Sequence, residues 1–182
     1  MEDFSPHQLD PVHERDLKLY HVYDALSQTP YERGYGIEAG DKNTYYMRYC
    51  CRINLRLIEK HLDWNQEEPT SFISLFDTPE SALKEARRRM SHRTVRRKGK
   101  WCRRGPVFVA VISPHSMAEE GVFFFSARDL TSDRMLDGCG GQLAGKLGSR
   151  EWFAMDYIPD SAVELVVGED SLRNTGCEGD WN

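Results

Sequence analysis

Residues 69–104 read PTSFISLFDTPESALKEARRRMSHRTVRRKGKWCRR, and the changes of pattern within them decide the fold. Ser71-Phe72-Ile73-Ser74-Leu75-Phe76 is an apolar run of strand length with hydroxyls set beside its bulk. Asp77-Thr78-Pro79-Glu80 turns the chain, and Ala82 to Arg89 continues as a helix. The spacing Asp77-x-x-Glu80 fits a capping box, in which Asp77 accepts from a first-turn amide and Glu80 reaches back to the cap. Thr78 as cap with Pro79 at the first helical position fits equally, because proline's fixed φ suits that place. A carboxylate at such a junction can also hold a guanidinium or take a proton from an ammonium, so Asp77 and Glu80 are candidates for chemistry as well as for capping.

The helix leaves as a cationic run. From Arg87 to Arg104 there are ten Lys or Arg and no Asp or Glu, whereas the other 164 residues hold 14 Lys or Arg against 29 Asp or Glu. An acidic chain with one basic segment builds a local potential that attracts a polyanion, and Trp101 and His92 within the run fit contact with nucleic acid. A solvated basic hairpin loop is the plainer reading.

A chain of 182 residues with 40% apolar content is expected to bury one core as a single domain. Its longest apolar runs, Val107 to Ile112 and Gly121 to Phe125, are of strand length, and its polar opening has no apolar signal-peptide core. No membrane span and a cytoplasmic location are the expectation. Five cysteines include an adjacent pair, Cys50 and Cys51, and three isolated ones, with no CxxC and no His at finger spacing. No structural metal is expected from that set.

Residues 1–16 read as a flexible polar lead, residues 17–167 as the folded domain, and residues 168–182 as a flexible polar tail. Leu17 to Tyr23 is the first strand, followed by a loop containing Ser27, Thr29, Gly34, Gly36 and Gly40. From Asn43, a plausible N-cap, Tyr46, Tyr49, Cys50, Ile53, Leu57 and His61 recur at helical spacing, with Arg48, Arg52, Arg56 and Lys60 forming a second stripe. Val107 to Ile112 and Gly121 to Phe125 are further strands, and Ser126 is expected to cap a short helix through Leu130. Residues 137–149 hold five glycines but neither GxGxxG nor GxxxxGK[ST], which excludes a phosphate cradle and suggests a flap. Ser149 to Ile158 is a half-buried strand carrying Glu151 at its start, and after the Pro159-Asp160 turn, Ala162 to Val167 is expected to complete a hairpin with it. About six strands and two main helices, partly segregated, make a compact α+β domain.

Leu19-Tyr20-His21-Val22-Tyr23-Asp24 with Ser27 and Thr29, His61-Leu62-Asp63-Trp64, Pro69 to Asp77, the Ala82 to Arg89 helix, and Glu151-Trp152-Phe153 with Ile158-Pro159 resemble an uncharacterised fungal domain family. That family contains the arginine-containing cyclodipeptide synthases, and the resemblance runs from about Leu17 to Val167. It implies a tRNA-dependent enzyme that joins arginine from arginyl-tRNA to a second aminoacyl group as a cyclic dipeptide. Those synthases depend on a DxxE motif, which in the matching region is Asp77 to Glu80. The resemblance thus implies that Asp77 and Glu80 orient the arginyl moiety or deprotonate the attacking amine, with Ser74 as acyl acceptor or hydrogen-bond donor. Glu151 and His21 come next as proton-transfer residues, and Arg88, Arg89, Arg93, Arg96, Arg97, Lys98 and Arg103 would bind tRNA phosphates. No ATP or metal is implied, because an aminoacyl ester is already activated, and tailoring enzymes acting on the product are possible partners.

Two alternatives stay open. A polar first-strand residue, a Ser-bearing central strand and a late-strand Glu resemble the Arg, Ser and Glu pattern of the ADP-ribosyltransferase fold, although His21 stands where that pattern has Arg and Ser149 where it has a second carboxylate. A noncatalytic nucleic-acid-binding module would need only the basic run.

Overall fold

In the computed structural model, which describes residues 17–41, 55–62, 68–127 and 150–174, the VFVAVI run forms strand β7 (Val107–Ile112). It is covered on both faces, as its unbroken apolar character demands. Beside it lies β1 (Leu19–Asp24), buried along its whole length. With β4 (Phe72–Phe76), β8 (Phe124–Ser126), β9 (Glu151–Met155) and β11 (Val163–Gly168), these strands make a six-stranded antiparallel sheet in the order β11-β7-β1-β4-β9-β8. A second sheet joins β2 (Tyr31–Glu32), β3 (Gly36–Glu38) and β10 (Tyr157–Ile158), and a third is the hairpin of β5 (Thr94–Arg97) and β6 (Lys100–Arg103). The architecture is α+β, and the six strands expected from the sequence correspond in number to the main sheet.

One face of that sheet buries Leu19, Ile73, Leu75, Ala110, Ile112 and Ala154 against Ile37, Met117, Ile158 and Ala162. These come from the β2-β3-β10 sheet, helix α3 (Pro114–Glu119) and a 3-10 turn at Asp160–Ala162. Gly36 is required where β3 meets that turn: its φ is +99°, and a Cβ there would fall 2.1 Å from the Ile158 carbonyl oxygen.

Helices cover the other face. Helix α2 (Pro79–Ser91) sets Ala82, Leu83 and Ala86 on Tyr20, Val22, Val109 and Val111, while Ile58 of α1 (Leu55–Leu62) sits in a cluster with Phe72, Phe125 and Phe153. The cap of α2 is Thr78, whose Oγ1 accepts from the Ser81 amide at 3.3 Å, with Pro79 following. Thr78 in extended backbone takes the place that the capping-box reading gave to Asp77.

The chain's end departs from expectation in two ways. Val163–Gly168 makes no hairpin with β9; the 3-10 turn carries it to the far edge of the sheet, where it pairs with β7. Residues 169–174, assigned to a flexible tail, form helix α4 (Glu169–Asn174), because Leu172 is buried under the sheet and Glu169 is held by Arg93 and Arg173. Residues 1–16, the Asn43 cap with Arg48 and Arg52, the 126–130 helix beyond Ala127, the 137–149 flap and the tail after Asn174 lie outside the described residues. Among the described residues no helix is long and apolar enough to cross a membrane.

Candidate functional site

Alternation along β4 turns Phe72, Ser74 and Phe76 to the helical face, while Ile73 and Leu75 enter the opposite core. The register Phe76↔Glu151 and Ser74↔Phe153 sets Glu151 on the same face as Ser74, two pairs along. Helix α1 brings His61 down onto that face, edge-on to Phe72 and Phe153 with ring centroids 5.7 Å from each. Its Nε2 lies 2.7 Å from Ser74 Oγ and its Nδ1 lies 2.6 Å from Thr70 Oγ1. Burial, helped by the nearby His21, pushes His61 down to about 4, so the ring is neutral near pH 7. A hydroxyl, a neutral imidazole and a second hydroxyl that fixes the ring therefore stand in line, which is the arrangement of an activated oxygen nucleophile.

His21 occupies a different position. Strands β1 and β4 share one registered pair, Tyr20↔Phe76. Beyond it the His21 ring bridges the two segments, with Nδ1 2.8 Å from the Ser74 carbonyl oxygen and Nε2 2.7 Å from that of Thr29. The ring is 3% exposed and stacks on Tyr23. Burial lowers its pKa against the upward pull of the two carbonyls, with Arg89 adding to the downward side. A neutral ring carries one N–H, so His21 donates to one of these two carbonyls; with the proton on Nδ1 it binds the Ser74 carbonyl, and the Thr29 hydroxyl, 3.3 Å from Nε2, can donate to the other nitrogen.

These groups line a cavity of about 340 Å³ between α1, α2 and the basic hairpin. Ser74, His61, His21 and Glu151 form part of its wall; Glu85 and Arg89 project from α2, and residues 95–97 of β5 run along it. Glu85 accepts from Arg88 at 2.7 Å and from Arg89 at 2.8 Å. Its pKa is lowered: burial acts to raise it, but the hydrogen bonds from the two guanidinium groups outweigh that. Below the rim, Asp24 is fully buried, accepting from Arg104 at 2.5 Å and from the Leu26 amide at 2.8 Å, with Arg89 at 3.4 Å.

Of the residues picked from the sequence, the cavity gathers Ser74, Glu151, His21, Arg89, Arg96 and Arg97. Asp77 and Glu80 do not line it. The α2 helix starts at Pro79, which leaves Glu80 exposed in its first turn, and Asp77 is half-buried just beyond the last strand residue, its amide donating to the Arg150 carbonyl at 3.2 Å. The cationic run is also less uniform than its sequence. Arg88 and Arg89 are engaged by Glu85, Arg89 and Arg104 by Asp24, and Arg93 by Glu169, so tertiary carboxylates compensate the foot of the run. Arg96, Arg97, Lys98, Lys100 and Arg103 are exposed on the hairpin, whose turn places Lys98 at φ 46° and Gly99 at φ 76°.

Sequence reading missed His61, Thr70 and Glu85 as site residues. His61 carried a signal, a polar ring in the apolar stripe of α1, but its partner lies 13 residues away on another element. Among the described residues no cluster of three or more His, Cys, Asp or Glu side chains could hold a metal ion.

The fold and site define an α+β domain with a serine–histidine pair in a cavity beside a basic hairpin. Residues 15–167 match the family described as Domain of unknown function (DUF7587), and the chain belongs to that family. No curated protein and no solved structure matches it.

Proposed function

We propose that this protein is an aminoacyltransferase that takes arginine from arginyl-tRNA onto Ser74 and condenses it with a second aminoacyl group into a cyclo(Arg-Xaa) diketopiperazine. The observation that carries the reading is Ser74 Oγ at 2.7 Å from the Nε2 of a neutral, half-buried His61. With the His61 proton on Nδ1 and donated to Thr70, Nε2 accepts the Ser74 proton as Oγ attacks the ester carbonyl. The ester C–O bond then breaks, His61 returns the proton to the departing ribose oxygen, and arginyl-Ser74 remains. The α-amine of a second aminoacyl-tRNA attacks that ester, regenerating Ser74 and leaving a dipeptidyl-tRNA. Closure by the arginyl α-amine on the second ester releases the ring and the second tRNA. Glu151, on the same face as Ser74, supplies the carboxylate for the arginyl guanidinium. The exposed basic hairpin supports a polyanionic donor, and the resemblance described above supports arginyl-tRNA as that donor.

The test is mass spectrometry of small products from a host that supplies charged tRNAs, beside folded Ser74→Ala and His61→Gln variants, with intact-mass analysis for an arginyl adduct at Ser74. Product and adduct from the wild type, with neither from Ser74→Ala, are expected. A product retained by Ser74→Ala would overturn the covalent route, and no product from folded wild type would overturn the synthase reading. The element order keeps NAD chemistry as a second reading, to be tested with labelled NAD. His21, however, directs both ring nitrogens at backbone carbonyls and offers no evident donor to a ribose hydroxyl.

A further inference from the structure

The largest exposed aromatic surface among the described residues belongs to Trp101, 74% exposed on β6 of the hairpin. The register Thr94↔Arg103, Val95↔Cys102, Arg96↔Trp101 and Arg97↔Lys100 sorts the hairpin into two faces. Val95 and Cys102 are half-buried and turn toward the body of the protein. Thr94, Arg96, Trp101 and Arg103 are exposed and share the opposite face, Arg96 bordering the cavity as well. An indole flanked by a guanidinium across the strand pair and by another two residues along its own strand is therefore held in water on a two-stranded support. Residues 95–97 of the same hairpin run along the cavity that holds Ser74.

We infer that this exposed face is a stacking platform for the unpaired end of a nucleic acid, with Trp101 taking one base and Arg96 and Arg103 the adjoining phosphates. Charge complementarity selects a polyanion, and a lone indole between cations suits a base plane better than a lipid surface, which rewards a broader apolar face. Duplex phosphates would be served by the arginines alone and would leave the indole idle. The inference deepens the proposed function by naming the part of the donor that is gripped, a single-stranded terminus that the hairpin guides toward the cavity. It rests on that function only for its purpose, since binding is measurable without acyl transfer.

The experiment is fluorescence polarisation with a labelled RNA stem carrying a four-nucleotide 3′ overhang and with the same stem blunt-ended, each titrated with wild type, Trp101→Ala, Trp101→Phe and the Arg96→Gln/Arg103→Gln double variant; the length is set at about four nucleotides, the lower end of single-strand site sizes. Wild type is expected to prefer the overhang. Trp101→Ala should weaken overhang binding roughly 5- to 150-fold, the loss of one base–aromatic stack, while leaving the salt slope unchanged. Trp101→Phe should recover most of the affinity, and the double arginine variant should flatten the salt slope by about one unit or more. Equal affinity for the two RNAs, or a Trp101→Ala variant that binds as wild type, would overturn the inference. So would binding confined to vesicles containing anionic lipid. Overhang binding that depends on Trp101 in a protein making no cyclic dipeptide would keep this inference and remove the proposed function; a synthase indifferent to Trp101→Ala would do the reverse.

Discussion

Replacing Asp24 with alanine removes a carboxylate that joins the first strand, helix α2 and the base of the basic hairpin. Its side chain is fully buried; Arg104 donates to it at 2.5 Å, Arg89 stands at 3.4 Å, and the Leu26 amide donates at 2.8 Å. Both guanidinium groups are only 15% exposed, so water cannot replace the lost partner fully. Arg89 keeps Glu85 and the Ser27 hydroxyl, but Arg104 keeps no comparable partner among the bonds described above. Breaking a buried pair by deleting one member costs about 3–5 kcal/mol, and each kcal/mol lowers the melting temperature of a chain this size by about 2–4 °C. The expected loss is therefore roughly 6–20 °C, read by circular dichroism alongside urea titration. Asp24→Leu combined with Arg104→Met should lie closer to wild type than Asp24→Ala, because removing both charges leaves neither uncompensated. A single Asp24→Ala variant within 1 kcal/mol of wild type, on the order of an exposed pair's contribution, would refute the reasoning.

Two further outcomes follow from the same geometry. His61 and His21 both have depressed pKa values in the folded state, so the unfolded chain binds more protons as pH falls below the ordinary histidine value of about 6.5. Their stabilisation is complete above that value and is lost down to about 4 for His61; unfolding titrations across this window should lose about 3 kcal/mol from His61, and His61→Gln should remove that part of the slope. Because Asp77 and Glu80 do not line the cavity, Asp77→Asn and Glu80→Gln should retain product formation within about threefold, a change in barrier under 1 kcal/mol, in the assay that Ser74→Ala fails. Loss of product from folded variants of both would return catalysis to the DxxE pair.

What the sequence could reveal was local. VFVAVI declared a strand buried on both faces, and Thr78-Pro79 declared the start of a helix, one of two caps compatible with the residues. The basic run suited a hairpin, and residues 94–103 form one. The misses were long-range. Ala162 to Val167 would alternate against either edge of a sheet, and only the 3-10 turn, together with the Asp156 backbone at φ 63° between β9 and β10, sends it to β7. The basic run looked uncompensated because Asp24 and Glu169 lie 80 and 76 residues from the arginines they hold. The site was half legible: Ser74, Glu151 and His21 stood out by residue type, whereas the value of Ser74 depends on an imidazole delivered by another helix.

Glu169 gives the last helix an importance out of proportion to its six residues. It receives Arg93, just before the hairpin, and the Val107 amide, just after it, while the Arg104 amide closes the base by donating to the Arg93 carbonyl at 2.7 Å. The family match stops at residue 167. A chain trimmed there would keep every residue of the cavity wall yet lose the clasp on both feet of the hairpin. Such a fragment would have its cavity intact and its hairpin unmoored, so the shortest unit that keeps the hairpin anchored runs past the family boundary by at least one turn of helix.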